Sequence, residues 1–276
     1  MYMAGQRDRG KEFPTVLDRA YRESKRHLKV ADIMSRNVFT TIVQTSMEEA
    51  ARIMGERHIG SLIVEEYGTP VAIVTERDLL TKVLAGKMSL TKTKVKDVMS
   101  FPLIKVCPTI EIREAAQLMI QKKGRLTVFD CGDLVGVITA SDLIRSMPEA
   151  PETTLHVDDF MTTKIITVDE KETVTSAAGI MGKDRIGSVL VTHKGKPKGI
   201  FTERDLLTTF LAKDMPLNIA VGEASSSPLI TAQAGISIHE AANIMASRHI
   251  RRLPLIKGSK VVGIITARDL VEGYAK

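Results

Sequence analysis

The chain has 276 residues, 43% hydrophobic and 26% charged, with a formal net charge of +6. That composition belongs to a folded globular protein about two ordinary domains long, and it argues against disorder. No run reaches the roughly 18 apolar residues that span a bilayer, and the N-terminus lacks the apolar core of a signal peptide, so a cytoplasmic location without a membrane partner is expected.

Residues 1–29 hold eight Lys/Arg against four Asp/Glu, which leaves the remaining residues at only +2. After Pro14, Val16, Leu17, Ala20 and Tyr21 fall on one stripe, which predicts a short amphipathic helix over about 14–28. This basic segment could lie on the first domain or dock a partner or nucleic acid. Cys107 and Cys131 form neither a disulfide framework nor a zinc pattern and are expected to be reduced thiols.

From residue 30 the chain repeats itself. Each unit opens with a segment such as Val30-Ala31-Asp32-Ile33-Met34, and continues through an extended stretch such as Lys164–Val168. A helix follows whose apolar stripe reads Met47/Ala50/Ala51/Met54, Ile112/Ala115/Ala116/Met119, Val174/Ala177/Ala178/Met181 and Ile238/Ala241/Ala242/Met245. Spacing of 0, 3, 4 and 7 places these residues on one buried face, and the alanine pairs permit close approach of another element. Ser46-x-x-Glu49 and Ser237-x-x-Glu240 predict capping boxes. Two strands and a polar turn come next, and an apolar strand then runs into Thr-x-x-Asp: Thr75/Asp78, Thr139/Asp142, Thr202/Asp205 and Thr266/Asp269. The threonines are 64, 63 and 64 residues apart, the signature of one supersecondary unit used repeatedly.

The expected fold is therefore α/β, with four β-α-β-β-α repeats. Repeats of about 60 residues bury little core alone and should pack in pairs. Odd repeats share Thr-Glu-Arg-Asp, whereas even repeats share Thr-Ala-x-Asp together with Arg125-Leu126 or Arg252-Leu253. The chain thus reads as a doubled two-repeat module. Its expected divisions are the basic segment 1–29, a first module at 30–147 (repeats 30–86 and 94–147), a Pro-containing linker at 148–154, and a second module at 155–275 (repeats 155–212 and 219–275).

Thr at N-cap and Asp at N3 stabilise a helix start without any ligand. The same junction also gathers free helix N–H groups, a hydroxyl and a carboxylate, which suits an anion next to a donor-bearing group such as a ribose diol. A nucleotide has both. Enzymatic motifs are absent: there is no phosphate-binding lysine loop, dinucleotide fingerprint or serine elbow. His239-Glu240-Ala241-Ala242-Asn243 has Asn where a zinc helix needs its second ligand, so no metal and no catalysis are expected. His58 and His249 precede the second strand of their repeats, as packing residues or phosphate contacts.

On the recurring strand-Thr-x-x-Asp, the Ala-Ala-x-x-Met helix and the 63–64 spacing, the chain resembles the CBS-domain family over about residues 28–275, as two tandem pairs of the kind called Bateman modules. The organisation resembles the nucleotide-sensing gamma subunits of AMP-activated kinase. The resemblance implies clefts between paired repeats for adenosine-containing ligands, here AMP, ADP or ATP, and a regulatory, non-catalytic role in energy sensing with a protein partner or as a homodimer. S-adenosylmethionine or a related adenosine ligand is an alternative, as is association with nucleic acid through residues 1–29. Carried over, the ribose-binding carboxylates fall on Asp78, Asp142, Asp205 and Asp269, and their hydroxyl companions on Thr75, Thr139, Thr202 and Thr266. Arg251-Arg252 corresponds to the phosphate-gripping basic pair, half-matched at Gly124-Arg125, with Arg77, Arg204 and Arg268 on the adjoining turns. The adenine wall would include Phe39, Ile59, Ile104, Ile166, Ile186 and Ile230. The extra arginines of the second module imply that it holds the tighter, more phosphate-demanding site.

Overall fold

A computed structural model describes residues 28–146 and 155–276. The linker expected at 148–154 lies outside these residues, as does the helix expected at 14–28 but for its last residue.

Four three-stranded sheets form, each of one parallel and one antiparallel pair. They are β1 (Thr40–Ile42), β2 (Ser61–Glu66) and β3 (Thr69–Thr75); β4 (Lys105–Val106), β5 (Leu126–Asp130) and β6 (Asp133–Ile138); β7 (Thr167–Asp169), β8 (Ser188–His193) and β9 (Lys196–Thr202); and β10 (Ala232–Gln233), β11 (Arg252–Lys257) and β12 (Lys260–Thr266). The apolar stripes become the helices Met47–Glu56, Ile112–Lys122, Val174–Lys183 and Ile238–Ser247, with their alanine pairs buried. The fold is the expected repeated α/β unit.

The polar hairpin turns are only two residues long. Tyr67-Gly68, Cys131-Gly132 and Lys194-Gly195 all have positive φ, which matches the right-handed twist of the flanking strands. One local expectation is corrected: the capping boxes of the long helices are only half made. Ser46 and Ser237 accept from the N3 amides, but the Glu49 carboxylate turns to Arg52 instead of reaching back.

The short helix that opens each repeat packs on the partner repeat of its pair. Val30–Ile33 is held by repeat 2, where Val30 N donates to Ile110 O and Ser35 pairs with Val137. Val95–Val98 is held by repeat 1, where Val95 N donates to Thr45 O and Ser100 pairs with Ile73. Repeats 3 and 4 exchange Val157–Asp159 and Val221–Ala224 in the same way. The exchange gives the leading amides of each short helix acceptors that its own repeat does not provide.

Three cores result. One fuses repeats 2 and 4, joining Ala115, Met119 and Leu143 to Ala241, Met245 and Leu270. The other two belong to repeats 1 and 3, each receiving a leucine from the other: Leu207 enters the first and Leu80 the second. This crossing requires glycine. A Cβ on Gly55 would stand 2.3 Å from the Ala212 Cβ, and one on Gly182 would stand 2.6 Å from the Ala85 Cβ. The modules therefore meet repeat 1 on 3 and repeat 2 on 4, and the helices that follow the Thr-x-x-Asp threonines touch within each of these pairs, Glu76–Asp78 on Glu203–Asp205 and Ala140–Ser146 on Ala267–Ala275.

Candidate functional site

At every junction the Thr-Asp pair is bonded to itself. The aspartate Oδ2 accepts both the amide and the hydroxyl of its threonine, at 3.0 and 2.6 Å for Thr75, 2.9 and 2.7 Å for Thr139, 2.8 and 2.7 Å for Thr202, and 2.8 Å twice for Thr266. The helix-capping role is thus real at all four positions. What distinguishes them is the second carboxylate oxygen. Asp78 Oδ1 is taken by Lys82 Nζ at 2.7 Å and by Ser100 Oγ at 3.2 Å, and Asp142 Oδ1 by Arg145 at 2.5 Å. Among the described residues, the Asp205 and Asp269 carboxylates have hydrogen bonds only at Oδ2, and Oδ1 accepts from none of them. Burial pushes both of these carboxyls above the ordinary aspartate range, against the donors of their threonines.

A cavity of about 300 Å³ opens beside Thr139 and Asp142. Its apolar lining comes from Phe39, Ile59 and Ile63 of repeat 1, Val137 and Ile144 of repeat 2, and Met245 and Ile250 of repeat 4. Its polar lining includes four arginines, Arg125, Arg145, Arg204 and Arg251, with His58 and His249, against one lining carboxylate, Asp142. The imbalance suits an anion attached to a flat apolar body. Arg57 lies over the Phe39 ring at 5.5 Å from its centroid and covers that part of the wall.

Of the residues singled out in the sequence, the cavity gathers Phe39, Ile59, Arg125, Thr139, Asp142, Arg204 and Arg251. The others are dispersed. Thr75 and Asp78 form the companion junction of the first module, where Ile104 has its Cδ1 only 2.7 Å from where a Gly124 Cβ would stand. Repeat 2 is also one residue short at this point. From the buried Met to the junction threonine it counts 20 positions (Met119 to Thr139), where the other three repeats count 21, so it lacks the counterpart of Ile59, Ile186 and Ile250. Thr202, Asp205, Arg252, Ile166, Ile186, Ile230, Thr266, Asp269 and Arg268 belong to the second module. There Ile166 and Ile186 pack on the core of repeat 3, Ile230 is 38% exposed and Arg268 is exposed.

Behind Gly60 of the cavity wall stands Glu76, 3% exposed, and this residue was missed in the sequence. Its Oε1 lies 2.9 Å from Arg251 Nη1 and 3.6 Å from Arg125 Nη2, and its Oε2 lies 3.3 Å from Arg204 Nε. Repeats 2, 3 and 4 thus each send one guanidinium to a carboxylate of repeat 1. Burial lowers the Arg125 pKa, with Glu76 opposing that shift. Glu203 is the counterpart in repeat 3. It pairs with Arg252 at 2.8 Å and Arg77 at 3.6 Å, and its buried Oε2 has no hydrogen-bond donor. Arg204 and Arg77 also donate to the carbonyls of His58 and Arg185, tying repeats 1 and 3 together. The arginines expected to grip phosphate therefore already hold the modules in register.

No cluster of three or more metal-ligating side chains occurs among the described residues, and His239 is hydrogen-bonded to Asn243. No helix among them is long and apolar enough to cross a membrane.

Comparison with known proteins gives a consistent result. Four stretches match the CBS domain, at residues 30–85, 95–149, 157–212 and 221–276. The CBS domain-containing protein YhcV of Bacillus subtilis is 33% identical over 114 residues, covering 41% of this chain and 81% of YhcV. The uncharacterised protein MJ1404 of Methanocaldococcus jannaschii is 27% identical over 277 residues, covering 89% of this chain, which spans 62% of MJ1404. Among solved structures, MJ1225 of the same organism, described as a candidate archaeal homolog of g-AMPK, superposes with a TM-score of 0.74 at 22% identity, covering 90% of this chain and all of that one. An uncharacterised protein of Pyrococcus horikoshii gives 0.62 at 22% identity over the same share of this chain.

Proposed function

The chain belongs to the CBS-domain family, with four of its domains in tandem, and on that premise we propose that it is a non-catalytic regulatory protein that senses an adenine nucleotide. The observation that carries this reading is the cavity beside Asp142. It has apolar walls wide enough for a base, a Thr/Asp junction at the side, and arginines from three repeats at the inner end. A volume of about 300 Å³ is at the lower end for small-molecule sites, which fits one nucleotide and little more.

The division of labour follows the lining. Phe39, Ile59 and Ile250 enclose the base, Asp142 faces the ribose once Arg145 swings to the ligand, and Arg125, Arg204 and Arg251 take the phosphate. In the second module, Asp205 and Asp269 keep one carboxylate oxygen each for a sugar hydroxyl. The Asp78 junction is closed by Lys82, Ser100 and Ile104 and binds nothing. Because repeat 4 supplies part of the first module's cavity, occupancy strengthens the contact between modules 30–147 and 155–275, and a protein partner or second copy that feels this contact reads the signal.

Calorimetry and thermal shift with adenosine, AMP, ADP, ATP and S-adenosylmethionine test the reading. A nucleotide at about 100 times its Kd should add roughly 2.7 kcal/mol of stability. Asp142→Ala should abolish one binding event and Asp78→Ala none. Absence of any response to the adenine panel, or a better response to S-adenosylmethionine, overturns the adenine-nucleotide assignment.

A further inference from the structure

Glu76 competes with whatever anion enters the cavity, because its three guanidinium partners all line that cavity. The carboxylate is 3% exposed and behind the wall, so it cannot leave for solvent without abandoning these partners. Among the described residues the inner end holds three arginines against Glu76, an excess of two; Glu203 and Asp78, whose charges also reach Arg125, are matched by their own cations Arg77, Arg252 and Lys82. Arg145 and Asp142 cancel at the rim.

We infer that Glu76 is the specificity-determining residue of the cavity: by consuming one arginine charge it leaves capacity for a single terminal phosphate dianion and disfavours polyphosphates. A phosphomonoester carries about −1.5 to −2 at neutral pH, which matches the excess of two. A triphosphate brings more charge than the remaining cations can neutralise, and its outer groups press on a buried carboxylate. The cavity volume points the same way. The other half shows what the arrangement is without the third arginine. Gly124 stands where repeat 4 has Arg251, and Glu203 keeps two partners and an Oε2 without a donor. The inference rests on the anion-binding reading of the cavity but not on the identity of the base.

The test compares the intact chain, Glu76→Gln and Arg251→Ala by calorimetry with AMP and ATP, and separately with inorganic phosphate and tripolyphosphate. The native protein should prefer AMP to ATP and phosphate to tripolyphosphate. Glu76→Gln, which leaves three uncompensated arginines, should move both ratios toward the polyphosphate by about tenfold, the order expected for one unit charge a few ångströms away. Arg251→Ala, which leaves an excess of one, should weaken the binding of both AMP and inorganic phosphate and widen their preference over the polyphosphates. Arg251 is 34% exposed at its side chain and its counterpart is glycine, so this variant tests the same charge count even if Glu76→Gln does not fold. Ratios that stay constant across the three proteins overturn the inference while leaving nucleotide binding in place. A shift seen with the inorganic anions but not with nucleotides sustains it and removes the adenine reading. Failure of every anion to bind overturns both.

Discussion

The two halves of the molecule are built from one plan and hold their central carboxylates differently. Glu76 of the first half collects arginines from three other repeats, whereas Glu203 of the second half has two arginines and a buried oxygen without a donor. The difference traces to repeat 2, where Gly124 replaces Arg251 and one residue is missing before the strand. A shared fold therefore presents two unequal electrostatic sites. It also bears on the expectation that the second module holds the more phosphate-demanding site. Arg251 belongs to the second module by sequence but lines the cavity of the first. Under the proposed function the anion site lies in the first half and is completed by the second.

The sharpest way to break this comparison is to neutralise the two glutamates in turn. Glu76→Gln leaves three guanidiniums, one of them largely buried, without their counter-charge and should cost about 3 kcal/mol in chemical denaturation. Glu203→Gln should cost about half as much, because it has two arginine partners instead of three and one of its oxygens makes no hydrogen bond to lose. Equal costs would mean that the asymmetry of partners has no energetic weight.

A smaller effect is expected where the halves are alike. Gly55→Ala and Gly182→Ala each drive a methyl group into the facing alanine of the other module, and each should destabilise by about 1–3 kcal/mol. Both should also loosen the contact between modules, readable as faster hydrogen exchange in the helices Met47–Glu56 and Val174–Lys183. A large difference between the two variants would show that the crossing is less symmetric than its distances.

The smallest effect belongs to an exposed cluster that only the second half has. Glu170 accepts from Lys198 Nζ at 2.8 Å and from His193 Nδ1, and these partners, Lys198 first, hold its pKa at about 2. The first half has Val43 at the corresponding position. A carboxylate with a lowered folded pKa contributes stability above its unfolded value, and that contribution is lost as pH falls through the folded one. Stability should therefore decline between about pH 4.5 and pH 2 in the native protein. Glu170→Gln should flatten that segment of the profile, and an unchanged profile would show that the pair is too solvated to matter.

The sequence alone determined the repeated unit. Period, alanine-rich stripe and Thr-x-x-Asp are local features, and local features follow from spacing along one chain. It also held the signal for the central network, because glutamate follows the threonine only in the odd repeats, whereas Arg125 and Arg252 occur only in the even ones. Those complementary charges meet only once the four repeats are assembled. Which arginine reaches which glutamate, which aspartate is claimed by a lysine, and that repeat 4 closes the first module's cavity were decided by tertiary structure. Each depends on residues as far apart as Glu76 and Arg251, brought together by the crossing at Gly55 and Gly182 and the fused core of repeats 2 and 4. The interaction of two charges depends on their distance and on the solvent excluded around them, and a sequence specifies neither until its apolar faces are buried.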